Sequence, residues 1–421
     1  LLAAPQPSDS VCNIMALANT TTDSSRLTHR SAMSLSAVLA GLIAVAVSYA
    51  GPLLVVLEAA KSAGLTPEQT ISWVWAVSIA SGLVCTVLSL FTRQPVMVAW
   101  SVPGAALLLT ALGDYSYSDA VGAYIVAGIL GTVLGVTGLF GKLLAAVPKP
   151  ILAGVLAGVL LPFVVNAASA VIASPLVAGG LVLAYLAGKR FLPRYAVFVA
   201  LFAGVVLAIS TGELAAPQLS LSLAGPLWTM PTFNATAIMG ISIPLLIVTM
   251  AGQNGPGLAM MHASGYEPND KLLLGASGVA SVLFAPFGSH AINLAAITAG
   301  ICAGPEAHPD PRRRYIAGVF CGLFYLVFGT FSTAIVALFA VIPGEMLTAL
   351  AGVALIGALQ GSFKDTVTAD HASPAVLEAA LITLVVTASG VAPWGIVSPF
   401  WGCLAGTVSY LVLRRRAKVQ A

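Results

Sequence analysis

Apolar segments of helix length recur along this chain from Leu35 to Leu413, separated by short polar turns. A transmembrane helix needs about 20 predominantly apolar residues at roughly 1.5 Å rise each, so a chain patterned this way folds by surrounding itself with lipid. With 58% hydrophobic and 8% charged residues among 421, it reads as an all-α polytopic membrane protein. The net charge of +3 is no nucleic-acid signature, because Lys and Arg fall in ones to threes between apolar runs. Five cysteines (Cys12, Cys85, Cys302, Cys321, Cys403) lie far apart without a C-x-x-C pair, which argues against disulfides and metal, and they read as fillers of helix interfaces. Residues 1–30, with Pro, Ser, Thr, Asp and Asn and no apolar run, read as a disordered tail. Met15 and Met33 could each be a natural start.

Two segments break the pattern. In Gln94–Thr110 and in Ala285–Gly300 a proline (Pro95, Pro286) opens a stretch of small or polar residues, and an apolar run follows that is too short to cross a bilayer. Each predicts a broken span, extended first and helical second. Unpaired backbone at membrane depth is tolerated only where protein or a water-filled cavity satisfies it, so two such breaks imply a buried polar site between them. The free N–H groups of the half-helices favour an anion there.

Counting the broken ones, the segments are Leu35–Leu57, Ile71–Phe91, the span from Pro95, Ala120–Phe140, Pro150–Val165, Val171–Ala187 and Ala196–Ile209 in the first half. Ala235–Ala251, Leu272–Phe284, the span from Pro286, Ile316–Val341, Met346–Leu359, Ala375–Ala388 and Ile396–Leu413 make up the second. Sequence echoes occur in the same order in both halves: 62–69 with 263–270, 124–128 with 315–318, and 156–160 with 350–354. The expectation is fourteen transmembrane segments in a seven-plus-seven inverted repeat, residues 31–232 and 233–416, with spans 3 and 10 broken and a short cytoplasmic tail at 417–421. An odd number of spans per repeat inverts the second copy, and the basic residues test this. With both termini in the cytoplasm, 17 of the 18 Lys and Arg fall on the inner side, Lys61 alone outside.

Most acidic residues sit at span ends and read as solvated caps. Glu378, one turn inside its span, is a weaker candidate for proton coupling. His290 lies at the junction of the second broken span, where an ionisable group is costly and usually faces a cavity. Ser289 and Asn293 flank it, with Trp100, Ser101 and Gly104 opposite, in the first broken span. The run Gly252-Gln253-Asn254-Gly255-Pro256-Gly257 reads as a polar break ending the eighth span, with Gln253 and Asn254 as amide donors. Tyr49, before Gly51-Pro52, holds the matching place in the first span. H-E-x-x-H, G-x-S-x-G and P-loop motifs are missing, which argues against an enzyme, a metal or an ATP-driven pump.

The motifs 94–107 (QPVMVAWSVPGAAL), 252–257 (GQNGPG) and 286–293 (PFGSHAIN) closely resemble the BenE family of benzoate:proton symporters, over about Leu35–Arg414. The resemblance implies a fold shared with uracil permeases and sulfate or bicarbonate transporters, in which spans 1–4 and 8–11 form a substrate-holding core and spans 5–7 and 12–14 a gate. Dimers are common in that fold, usually through the gate. It implies residence in the inner membrane, no cofactor, and benzoate and protons as partners. Nucleobase relatives carry carboxylates on the eighth and tenth spans where this chain has Gln253 or Asn254, and His290. That departure suits an anionic substrate, which a fixed carboxylate would repel.

The expected mechanism docks an aromatic carboxylate on backbone N–H groups near Ser101–Gly104 and Ser289–Ala291, with a neutral His290 alongside. A bound anion would favour the imidazolium, so substrate and proton would reinforce each other. Alternatives on the same fold are another aromatic acid, a nucleobase, or a passive anion channel.

Overall fold

The computed structural model describes residues 35–419 except 50, 215–221, 306, 368–372 and 396–397. The tail at 1–30 therefore lies outside the described residues. The first half carries α1 (35–49), α2 (Pro52–Ser62), α3 (Pro67–Thr92), β1 (Val98–Trp100), α4 (Val102–Ala111), α5 (Tyr117–Thr137), α6 (Leu139–Ala146), α7 (Lys149–Ala173), α8 (Gly180–Phe191) and α9 (Ala196–Ser210). The second half carries α10 (Ala235–Ala237), α11 (Ile243–Thr249), α12 (Gly255–Ala263), α13 (Asp270–Phe284), β2 (Ile292–Leu294), α14 (Ala296–Ala303), α15 (Tyr315–Thr330), α16 (Ser332–Ala340), α17 (Gly344–Val367), α18 (Pro374–Ala388) and α19 (Ser398–Val419).

Seven helical stretches among the described residues are long and apolar enough to cross a membrane, or eight if α15 and α16, bent by 68°, count as one. Helix starts follow local chemistry. Thr66 and Gln69 form a reciprocal capping box ahead of Pro67. The Ser116 and Asn269 side chains accept from Asp119 N and Leu272 N to open α5 and α13.

Several boundaries differ from the sequence reading. The fifth segment runs to Ala173, and the break falls at Ser174 (φ −132°, ψ 78°), inside the stretch read as Val171–Ala187. Pro175 is the reason, since a residue before proline is pushed out of the helical region. The first segment is interrupted at Gly51, before Pro52 at the start of α2. A third difference corrects the eighth segment. Gly252–Gly257 is no exit turn, because the helix continues from Ile243 to Ala263 through a five-residue π turn at Met250–Asn254. Pro256 lacks an N–H and would clash with the carbonyl one turn back, and the wider turn accommodates it without ending the helix.

Much of the most extensive helix packing crosses between the halves. α3 packs along α15, α5 along α13, and α7 along α17 and α18. Small residues permit it, since a methyl on Gly82 (α3) would come within 2.8 Å of the Gly322 carbonyl (α15). One on Gly135 (α5) would come within 2.7 Å of Gly275 N (α13). Apolar surface gains little by leaving lipid for a like interior, so this close approach is what dispersion forces need.

β1 and β2 form one antiparallel ribbon with Val98 opposite Leu294, Ala99 opposite Asn293 and Trp100 opposite Ile292. Ser101 N to Ala291 O (3.1 Å) and Ala295 N to Met97 O (2.9 Å) extend it at both ends. A bare ribbon edge in lipid would leave backbone groups unpaired, and helix side chains take them up. On α3, Ser89 Oγ bonds both Val96 N and O, and Cys85 Sγ both Val98 N and O. On α13, Ser281 Oγ bonds Ile292 N and O, while Asn254 Oδ1 accepts from Leu294 N at 2.9 Å.

Candidate functional site

The ribbon sets the starts of two short helices side by side. α4 is capped by Ser101, whose Oγ accepts from Gly104 N at 3.0 Å and pairs with Thr249 Oγ1 of α11 at 2.8 Å. α14 begins after Ala295 with no side-chain cap, and the first-turn N–H groups of a helix find no partner within it. Thr298, in that turn, is 4% exposed, and its Oγ1 has no hydrogen-bond partner among the described residues.

A cavity of about 890 Å³ opens in front of these helix starts. Val102, Pro103, Gln253 and Thr298 line one wall, and α7, α8, α9 and α17 supply the other. Leu152, Leu156, Leu160 and Ala354 give the far wall its apolar character. Its charged liners are Lys149, Lys189 and Asp365. The volume suits a small aromatic ligand, and an apolar wall facing uncapped N–H groups suits one with a ring at one end and an anionic group at the other.

His290 is fully buried, and both its ring nitrogens are engaged. Trp73 Nε1 donates to Nδ1 at 3.0 Å, and Nε2 meets the Ser101 carbonyl at 2.8 Å. An indole can only donate, so Nδ1 accepts and the ring proton sits on Nε2. His290 therefore lies behind the tip of α4 and outside the cavity lining. Asn293, also fully buried, accepts from Ser101 N and donates to Leu294 O, both at 2.9 Å, in the amide orientation that satisfies both ends.

Tyr49, Trp100, Ser289 and Asn254 are buried behind the same wall, and Gln253 and Glu378 are not behind it. Tyr49 Oη bonds Ser78 Oγ at 2.5 Å, and its ring stands edge-on to Trp100 at 5.7 Å. Trp100 and Ser289 are buried, with Trp100 Nε1 and Ser289 Oγ unpartnered. A methyl on Gly104 would run into Leu245 of α11 at 2.5 Å, so this glycine serves packing at the tip. Asn254 is held by the ribbon, and of the expected residues Gln253 alone lines the cavity. Glu378 is exposed on α18 and outside the cavity lining.

Three of the N–H groups in the stretches expected to hold a carboxylate are already engaged: Ser101 N with Ala291 O, Gly104 N with Ser101 Oγ and Ser289 N with Phe284 O. The reason is register, because residues 292–294 are drawn into the ribbon and the second half-helix starts at Ala296. Thr298 was missed since a threonine in an apolar run reads as packing. Its place three residues past an extended stretch, in the first helical turn, is the signal that could have found it.

The BenE family profile, described as "Benzoate membrane transport protein", matches residues 31–412. The benzoate membrane transport protein of Acinetobacter baylyi is 39% identical over 380 residues, covering 90% of this chain and 95% of that one. The inner membrane protein YdcO of Escherichia coli is 38% identical over 376 residues, covering 89% and 95%. Among solved structures, the transmembrane domain of a cyanobacterial bicarbonate transporter, BicA, superposes with a TM-score of 0.60 at 15% identity, covering 88% of this chain and 97% of that one. The murine Slc26a9 anion transporter in its inward-facing state gives 0.56 at 12% identity, covering 91% and 68%. At such identities these two share the fold and nothing finer.

Proposed function

The chain belongs to the BenE family, the benzoate membrane transport proteins, and from that premise we propose that it is a secondary active transporter of the inner membrane. It carries benzoate or a close aromatic carboxylate together with at least one proton, by alternating access. The observation that carries the reading is the antiparallel ribbon, which sets an uncapped helix start and the unpartnered Thr298 hydroxyl against an apolar cavity. The carboxylate takes the N–H groups of the first turn of α14 and the Thr298 hydroxyl, Gln253 offers its amide, and the ring lies toward Leu156 and Leu160.

A membrane potential opposes entry of an anion by about 2.3 kcal/mol per 100 mV, and one accompanying proton removes that cost. His290 is the proposed carrier. A proton arriving at Nδ1 makes the ring a donor at both nitrogens, so Trp73 must let go. The new charge lies behind the tip of α4, where an anion in the cavity stabilises it, and by linkage the proton strengthens anion binding equally. Glu378, exposed and outside the cavity lining, is the weaker alternative.

The proposed architecture is fourteen segments in two inverted repeats, residues 31–232 and 233–416, both termini cytoplasmic. The packing supports it, because exchanging the halves turns the α3–α15 pair into the α13–α5 pair and returns the ribbon and the α7–α17 pair to themselves. α1–α5 and α10–α16 form the core, and α7–α9 with α17–α19 the gate; the cavity lies between them. Lys149, Lys189 and Asp365 stand on the side that the basic residues assign to the cytoplasm, so the conformation is inward-open.

The test is uptake of labelled benzoate into proteoliposomes with and without an acid-outside gradient. Accumulation above equilibrium that a protonophore abolishes is expected. Equilibration without accumulation, indifferent to the protonophore, would make the protein a passive anion channel, and displacement of benzoate by a nucleobase would reassign the substrate. If His290→Gln keeps full proton-driven accumulation, the carrier lies elsewhere.

A further inference from the structure

The cavity has a second polar end that the central site does not use. Lys149 is the first residue of α7, and Leu156, seven residues on, touches the site, since a methyl on Gly252 would meet both Leu156 and Pro103 at 3.2 Å. At 1.5 Å per residue, Lys149 lies about 10 Å from the helix tips, measured along α7. Lys189 and Tyr185 stand one turn apart on α8 and line the same cavity. Neither lysine is paired with a carboxylate among the described residues. Tyr185 is only 4% exposed and lines the cavity.

A cation on the first residue of a helix opposes the helix dipole. An anion in the mouth accounts for this, as it would pair with the two ammonium groups and accept a hydrogen bond from the Tyr185 phenol, which lines the same cavity. Asp365, on the facing helix α17, keeps the mouth from being uniformly positive, so an anion held there can leave.

We propose that Lys149, Lys189 and Tyr185 form a second carboxylate station at the mouth of the cavity, where the substrate pauses between the helix tips and the cytoplasm. This rests on the proposed transport of an aromatic carboxylate. The station serves one face of the membrane alone, so its signature is asymmetry between the two directions of transport.

Two measurements test it. In the first, benzoate transport is measured in right-side-out and inside-out vesicles for Lys149→Gln/Lys189→Gln and for Tyr185→Phe. The double variant is expected to raise KM from the lysine side on the order of tenfold and leave KM from the opposite side unchanged, which also reports intact folding. Equal changes from both sides, or none, overturn the station. In the second, the unsubstituted protein is reductively methylated in the presence of benzoate or benzamide. Benzoate should slow modification of Lys149 and Lys189 but not of Lys142, which is exposed as they are but lies outside the cavity lining, and benzamide should protect none of them. Transport without this protection refutes the station. Protection without transport retains it and refutes the carrier reading of the central site instead.

Discussion

Thr298→Val separates binding from folding. The hydroxyl is 4% exposed and bonds no protein group, so replacing it with an isosteric methyl breaks nothing in the empty protein. A buried unsatisfied hydroxyl costs about 1–3 kcal/mol, so the melting temperature in detergent should hold or rise. Anion binding should behave the opposite way. A hydrogen bond to a charged group contributes about 1.5–3 kcal/mol, and its loss weakens the dissociation constant roughly 10- to 150-fold. Equilibrium binding of labelled benzoate to purified protein measures this, with Thr298→Ser expected to restore most of the affinity. A Kd within about twofold of the unsubstituted protein, in a variant that melts no lower, would show that the carboxylate does not sit on the first turn of α14, since it corresponds to no more than roughly 0.4 kcal/mol.

Other substitutions probe the same wall. Gln253→Glu adds a charge at constant shape to the one expected residue that lines the cavity, and it should weaken benzoate at least tenfold, about 1.4 kcal/mol, while sparing benzamide. Trp73→Phe removes the donor to His290 Nδ1 and strands a buried acceptor, so it should destabilise by about 1–3 kcal/mol. Trp75→Phe, whose ring packs against Phe284 and Phe287, should cost less in the same melting experiment. Gly82→Leu must push α3 away from the Gly322 carbonyl and should cost at least about 1–3 kcal/mol, read as a lower melting temperature. Among the four cysteines of the described residues, a maleimide should label Cys403 first, because Cys85, Cys302 and Cys321 are buried.

The sequence disclosed the helices and the place of the site more readily than the atoms that make it. Hydropathy finds α3, α5 and α13 because lipid demands unbroken apolar length, and Pro95 and Pro286 announce the two extended stretches because neither can sit inside a helix. The run Gly252–Gly257 misleads for the same reason. Its glycines and Pro256 spell a turn, whereas a π turn absorbs them and the helix goes on to Ala263. His290 and Ser101 stand out in the sequence for their polarity at depth, and they do meet, at 2.8 Å, but behind the cavity wall. Which side of the backbone a polar group occupies depends on the register of β1 against β2, a pairing of residues almost 200 apart that no local pattern encodes.

The ribbon is tied on its flanks to α3, α13 and the wide turn before α12, so it cannot reshape itself around guests of different girth. Discrimination by ring size then falls to the facing helices, where Leu156, Leu160 and Ala354 stand without such ties. Chains that share this backbone but accept bulkier or slimmer acids should differ at those three positions while leaving the strand pair alone.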